Sequence, residues 1–296
     1  MRDRNMKFKV HFILVLVFTF HYSFGQLSDL VRLEYSFIPQ SNSDDRYTRL
    51  RAILNYPIKI KKSDYLVIGA EYNRILLNLE EDYPFNTSSL DLIHVIDLNL
   101  GYTFKWKDKW RVGAKFNPRI ASTMSKSLTS DDYFINGGLF FINDRTKDKD
   151  LKRPYRLIVG LTYNATTGIQ FPLPFVSYFR QINELWSFNA GIPKSNLKYT
   201  INNTNNVQAF MGLDGYLANI QEPISIDGRN ADHISLSVIV GGLGYEYCFT
   251  EHLVGYLYTG YTFRLNNVLR SGNRDEVFKL DDVNAFYLRT GIKFKI

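Results

Sequence analysis

Residues 92–120 constrain the fold more tightly than any other part of the chain. Leu92, His94, Ile96, Leu98, Leu100, Tyr102, Phe104 and Trp106 fall on one face of an alternating run. Ile93, Val95, Asp97, Asn99, Gly101, Thr103 and Lys105 fall on the other. After Lys107-Asp108-Lys109 the alternation restarts, with Trp110, Val112, Ala114, Phe116, Pro118 and Ile120 opposed to Arg111, Gly113, Lys115, Asn117 and Arg119. A period of two belongs to a β-strand, whose successive side chains point to opposite faces. Both runs exceed the ~5–6 residues usual in soluble sheets. The apolar face ends in aromatics, Tyr102, Phe104, Trp106 and Trp110, around a short charged turn. An apolar band, a polar second face and aromatics at a tight turn are the features of a membrane-spanning β-hairpin.

The N-terminus reads as a targeting segment. Arg2, Arg4, Lys7 and Lys9 precede an apolar run over residues 10–20, and Ser23 and Gly25 supply small residues before Gln26. That is the three-part build of a secretory signal peptide. Residues 1–25 are therefore expected to be cleaved, and residues 26–296 to form one domain. The apolar run falls short of the ~20 residues a spanning helix needs. No cysteine follows the cut, which argues against a lipid anchor. The net charge is +7, and it becomes mild once the basic leader is set aside. No basic run is interleaved with aromatics, so no nucleic-acid footprint is present. The single cysteine, Cys248, excludes an internal disulfide and reads as a small apolar filler on a strand. A mean hydropathy of −0.20 resembles that of a soluble protein, but alternating strands cancel in any averaging window. The 15% aromatic content suits a barrel better than a typical globular enzyme.

Alternating runs recur along the chain, at residues 30–38, 47–60, 65–76, 132–143, 155–163, 169–180, 186–192, 197–201, 207–219, 233–249, 253–265 and 286–296. Long links alternate with short turns, as they do in outer-membrane barrels. The charged segment 144–153 breaks that rule if it lies on the short-turn side. Pro172 and Pro174 predict a locally irregular or bulged strand, because proline cannot donate to a ladder. Residues 221–232 read as a loop, and residues 266–282 as a long charged loop. Ile234, Leu236, Val238 and Val240 share an apolar face that changes phase to Leu243, Tyr245, Tyr247 and Phe249, which predicts a β-bulge at Gly241-Gly242. The expected fold is all-β, an antiparallel transmembrane β-barrel. Parity favours 14 strands, since both termini of such barrels lie on one side. The count is 12 if residues 207–219 belong to a loop.

The closing run Phe286-x-Leu288-x-Thr290-x-Ile292-x-Phe294-x-Ile296 resembles the terminal strand that the barrel-insertion machinery reads in Gram-negative bacteria, although it ends on Ile296 rather than Phe. Phe171-Pro172-Leu173-Pro174, Trp186, Pro193, Tyr199 and Gly260-Tyr261 are similar to an uncharacterised family of outer-membrane β-barrels of unknown function. The resemblance spans most of residues 26–296 and implies an outer-membrane location, contact with outer-membrane lipid and lipopolysaccharide, and assembly by that machinery. It transfers no catalytic residue and no cofactor.

The chemistry in the chain is sparse. His94 is in phase with the lipid-facing side, and His252 lies in a turn. Asp232, His233 and Ser235 form the one triad-like cluster, and neighbours along one strand rarely reach nucleophile–base geometry. No His or Cys pair has metal-ligand spacing. Asp44-Asp45, Asp131-Asp132 and Asp281-Asp282 read as solvated loop charges ahead of divalent-ion ligands. The inward face holds Arg32, Arg49, Arg51, Lys105, Arg111, Lys115, Arg119, Arg180, Arg264, Arg289 and Lys293 against Glu34, Glu71, Asp97 and Glu246. A basic lumen of Arg49, Arg51, Arg111, Lys115, Arg119, Arg264 and Arg289 favours anionic solutes. The alternative is that these charges pair with one another to fill a narrow interior. The expected function is non-enzymatic, a small pore or structural envelope protein. A lipid-modifying hydrolase using His233 and Ser235 is one competitor, and a soluble periplasmic β-protein is another.

Overall fold

The computed structural model describes residues 29–39, 45–148, 150–164, 171–280 and 283–295. The expected signal peptide and its cut lie outside the described residues. The chain forms β1 (Val31–Pro39), β2 (Arg46–Lys59), β3 (Tyr65–Asn78), β4 (Leu92–Lys107), β5 (Trp110–Ser122), β6 (Tyr133–Asp144), β7 (Tyr155–Asn164) and β8 (Phe171–Gln181). It continues with β9 (Trp186–Ile192), β10 (Lys194–Thr200), β11 (Asn205–Ile226), β12 (Arg229–Cys248), β13 (Leu253–Arg270), β14 (Glu276–Lys279) and β15 (Phe286–Phe294). Each strand from β1 to β13 pairs antiparallel with its neighbours, and β15 pairs with both β13 and β1, closing a wall of 14 strands. The short β14 only extends the far end of β13.

The start of β1 and the end of β15 lie at the end that carries the tight turns, where Leu30 N–H donates to Phe294 O and Lys295 N–H to His252 O. We call this the turn end and the opposite rim the loop end. The outer face is apolar, with Leu54, Ile135, Leu139 and Leu243 among its most exposed side chains. Aromatic pairs ring it at the turn end, Trp106 with Phe141, Trp186 with Tyr199 and Tyr247 with Phe249. A second set stands toward the loop end, Tyr72 with His94 and Tyr261 with Phe263. His94 lies on this outer face, its ring hydrogen-bonded to the Tyr72 hydroxyl at 2.8 Å. This is the surface of a transmembrane barrel.

The loop end departs from a simple cylinder. β11, β12 and β13 are 22, 20 and 18 residues long. Above Gly215 the β11–β12 hairpin leaves the wall and crosses to β5, where Asn219 pairs with Ser122. Its inner side chains, Tyr216, Ile234, Leu236 and Val238, pack against Ile38, Tyr47, Ile75, Ile93 and Val95 from β1–β4 in one buried apolar cluster. Tyr216 stacks on Tyr47 with ring centroids 6.1 Å apart. Such an interior is a core, held by the removal of apolar area from water, and it plugs this half of the barrel.

That plug overturns several expectations. Residues 221–232 are not a loop, because β11 and β12 continue to a two-residue turn at Asp227-Gly228, both with positive φ. Asp-Gly between two strands is the hairpin signature of a type I′ turn. The weakest strand expectation, residues 207–219, is part of the longest strand. No bulge exists at Gly241-Gly242, where β12 pairs with β11 and β13 without a shift. Val238 and Val240 face inward like Glu246, and the apolar pattern changes phase because the upper half of β12 buries its inner face. The irregularity falls at Ser237/Val238 instead. Residues 266–282 include the end of β13 and all of β14. Phe278 on β14 meets Phe85 and Tyr83 of the β3–β4 link edge-on, at 5.0 and 6.1 Å. The segment 144–153 does lie at the turn end, as an exceptionally long turn.

Two further corrections concern β8. It pairs with β7 without a shift through Pro172 and Pro174, so the prolines produce no bulge. Among the described residues β8 has no partner there on its other side, and proline is tolerated on an edge that needs no donor. Arg180 shares the outer face with Val176 and Tyr178, not the lumen face, and its guanidinium reaches the Tyr178 hydroxyl at the turn end. Long cationic side chains take such positions by extending toward the interface.

Candidate functional site

Below the plug the inner face is polar and mostly paired. Asp97 on β4 stands opposite Arg119 on β5 in the register. Their side chains form a two-pronged pair at 2.8 and 2.9 Å, both buried. Arg51 makes the same contact with Glu71, at 2.8 and 2.9 Å. Glu246 receives Lys293 at 2.6 Å and Lys198 at 2.9 Å. Arg49 crosses the interior to Asp214 on β11, at 2.9 and 2.7 Å. Glu34 lies 3.8 Å from both Arg51 and Arg289. Planar guanidinium–carboxylate forks fix geometry as well as charge.

The residues expected in a basic lumen thus divide into groups. Arg49, Arg51 and Arg119 are consumed by ion pairs. Arg111 lies near the turn end, donating to Ser63 O at 2.6 Å and resting over the Tyr65 ring. Lys115 points into the interior and has no ion-pair partner among the described residues. Arg264 lies on the inner side of β13 opposite Val238. Arg289 stands over the Tyr258 and Phe210 rings, 4.8 and 5.7 Å from their centroids.

Arg289 belongs to a cavity of about 280 Å³ beneath the plug. Its cations are Arg32, Arg51, Lys194, Arg289 and Lys293, and its acids are Glu34 and Asp214. Phe210, Tyr256, Tyr258 and Tyr287 supply aromatic walls. Arg32, Arg51 and Lys293 are paired with Asp29, Glu71 and Glu246, and Asp214 with Arg49, so the surplus positive charge rests on Lys194 and Arg289, against a Glu34 shared among arginines. Lys194 has no ion-pair partner among the described residues and lies 5.6 Å from the Tyr258 ring centre. Sequence reasoning missed Lys194, Lys198 and Asp214. The short strand β10 begins three residues before the run that was legible, and β11 read weakly. The Asp227-Gly228 turn could have revealed β11, since it defines the end of a long hairpin.

Two carboxylates that the sequence presented as solvated loop charges are buried, Asp132 fastening the plug and Asp45 the β3–β4 link. Asp132 is fully buried and accepts hydrogen bonds from Asn219 Nδ2 at 2.8 Å, Gln221 Nε2 at 2.8 Å and Thr129 N–H at 2.7 Å. Asp45 accepts the Glu80 and Glu81 N–H groups at 2.8 and 3.1 Å. Asp44, Asp281 and Asp282 lie outside the described residues. Burial alone would raise the Asp132 pKa, but the hydrogen bonds from Ser122, Asn219, Thr129 and Gln221 outweigh it and hold the carboxyl below its ordinary value. A depressed folded-state pKa stabilises above the unfolded-state value and is lost as pH falls through the folded one. Acidification below about pH 4 is therefore expected to loosen the hairpin tip. Protection of the amides of residues 219–221, relative to their intrinsic exchange at the same pH, should fall there, and Asp132→Asn should show low protection with no such pH step.

Of the triad-like cluster, His233 and Ser235 are buried on β12. Ser235 is fully buried, with its hydroxyl 3.3 Å from Asn266 Oδ1. The His233 ring instead meets Phe134 edge-on. Among the described residues no three His, Cys, Asp or Glu side chains are grouped to hold a metal ion.

No curated protein matches the chain. Among solved structures it is similar to the COG4313 outer membrane channel from Pseudomonas putida F1, with 11% identity and a TM-score of 0.44, covering 90% of this chain and 93% of that one. It is also similar to the KdgM porin, with 8% identity, a TM-score of 0.38, and 90% and 98% covered. A third is LpxR from Salmonella typhimurium, with 9% identity, a TM-score of 0.39, and 89% and 99% covered. The family model for a domain of unknown function, DUF6268, matches residues 39–295. The chain, a closed transmembrane barrel with a plugged interior, therefore belongs to the DUF6268 family.

Proposed function

We propose that this protein is a non-enzymatic outer-membrane barrel that holds or passes a small anion and is not an open porin. One observation supports this best: a cavity with surplus cations lies directly beneath an apolar plug. Charge on the lining selects the sign of the solute, and a buried apolar cluster closes the interior at the loop end. Burial of Ser235, away from any solvent-facing substrate, speaks against a hydrolase. The apolar outer band would meet outer-membrane lipid and lipopolysaccharide, with the turn end in the periplasm and the β15 strand as the signal for barrel assembly.

The test is reconstitution in planar bilayers. The intact protein is expected to show small or no unitary current, and any current should reverse on the anion side in a salt gradient. A large, steady conductance would overturn the sealed loop end, and cation preference would overturn the anion reading.

A further inference from the structure

Among the described residues the wall is interrupted on one side. β9 and β10 have 7 residues each, against the ~9–11 that a tilted strand needs to cross a bilayer. At ~3.3 Å per residue and ~40° tilt they rise roughly 18 Å, short of the ~25 Å apolar band. Pairing of β8 with β9 stops at Val176↔Ile192, and pairing of β10 with β11 stops at Lys194↔Gly212. Above that level β8 continues to Phe171, while β11 turns inward toward β5. Among the described residues no strand fills the space between them. The exposed edge of β8 carries Pro172 and Pro174, which remove donors that would invite another strand.

The cavity reaches this gap. Pro193, Lys194 and Leu213 line it, and Leu213 shares the face of Met211, an exposed lipid-facing side chain. The inner face of β8 beside the gap is apolar, with Phe175 edge-on to Phe140 at 5.2 Å. Among the described residues the cavity lining thus extends from Lys194 and Arg289 to Leu213, whose neighbour on the same face is lipid-facing. A ligand that fits must carry an anionic head and an apolar chain.

We propose that a single-chain amphipathic carboxylate enters from the membrane through the β8–β11 gap and seats its head beside Lys194 and Arg289. This rests on the anion reading above and adds the ligand class and the route.

The test uses the full barrel in phosphatidylcholine vesicles with two probes. Spin-labelled stearate reports binding as a motionally restricted signal, in excess of that from spin-labelled phosphatidylcholine. Butyrate, observed by saturation-transfer NMR, reports head binding from water. Lys194→Gln is expected to weaken both about tenfold, the loss of one charge-assisted contact. Leu213→Trp, which narrows the gap, is expected to weaken stearate at least about tenfold more than butyrate. Equal effects of Leu213→Trp on both probes would overturn side entry. Stearate bound no more tightly than butyrate would overturn the requirement for a chain. If Lys194→Gln changes neither probe, the anion reading itself fails. Each variant must keep the gel shift of a folded barrel on boiling, and Leu213→Phe replaces Leu213→Trp if that variant does not fold.

Discussion

Arg49→Met is expected to destabilise the folded barrel by about 3–5 kcal/mol, and Arg49→Met combined with Asp214→Leu to recover most of that loss. Arg49 is 5% exposed and forks onto Asp214 across the interior. The pair joins β2 in the wall to β11 just below the point where the plug departs. Removing the guanidinium leaves the Asp214 carboxylate, mostly out of water, with no cation in hydrogen-bond reach among the described residues, and that unpaired charge carries the cost. Replacing both groups with apolar side chains removes the penalty along with the attraction. The two outcomes separate a buried charge problem from a simple loss of contact. Urea midpoints of the heat-modifiable band, for the two single variants and the double, give the coupling directly. A double variant no more stable than Arg49→Met would mean that the fork contributes net attraction beyond relieving its own burial.

The legible part of this fold was the lipid-facing wall. Wherever one face meets lipid and the other a polar interior, alternation is preserved, and residues 92–120 gave both faces correctly. The β11–β12 hairpin was harder to read because its upper half meets neither lipid nor water. There both faces are buried, Val238 and Val240 turn apolar groups inward, and the period of two no longer separates inside from outside. The resulting change of phase resembled a bulge. Asp45 and Asp132 were misread for a related reason: a carboxylate on a link looks solvated until the chain that supplies its donors, 35 or 87 residues away, is in place. The inward direction of Arg49, Arg51 and Arg119 followed from local alternation. Their partners across the barrel, Asp214 above all, did not, because the pairing depends on where the plug sits.

Gly215→Val is expected to unseat that plug. Gly215 has a φ of +155°, a conformation that L-residues rarely adopt, and a β-carbon there would lie 2.0 Å from the Leu236 carbonyl oxygen. Backbone strain of this kind costs about 1–3 kcal/mol, and the overlap is with main chain of the partner strand, which cannot rotate aside. β11 or β12 must therefore shift at the bend. The bend orients Asp214 toward Arg49 on one side and Tyr216 onto Tyr47 on the other, so a shift weakens both contacts together. The lower wall keeps its ladders, β11 with β10 and β12 with β13, so the barrel should still assemble and still resist detergent until boiled, with a lowered midpoint. The plug should open more often. In planar bilayers Gly215→Val is expected to show frequent, well-resolved current steps where the intact protein is nearly silent, and amide exchange should rise across residues 216–235 ahead of the rest. Gly215→Ala should show the same change more weakly, since the φ requirement remains and the side chain is smaller. A Gly215→Val protein that stays silent, with unchanged exchange in the hairpin, would mean that the apolar cluster alone holds the plug and that the bend can absorb a side chain.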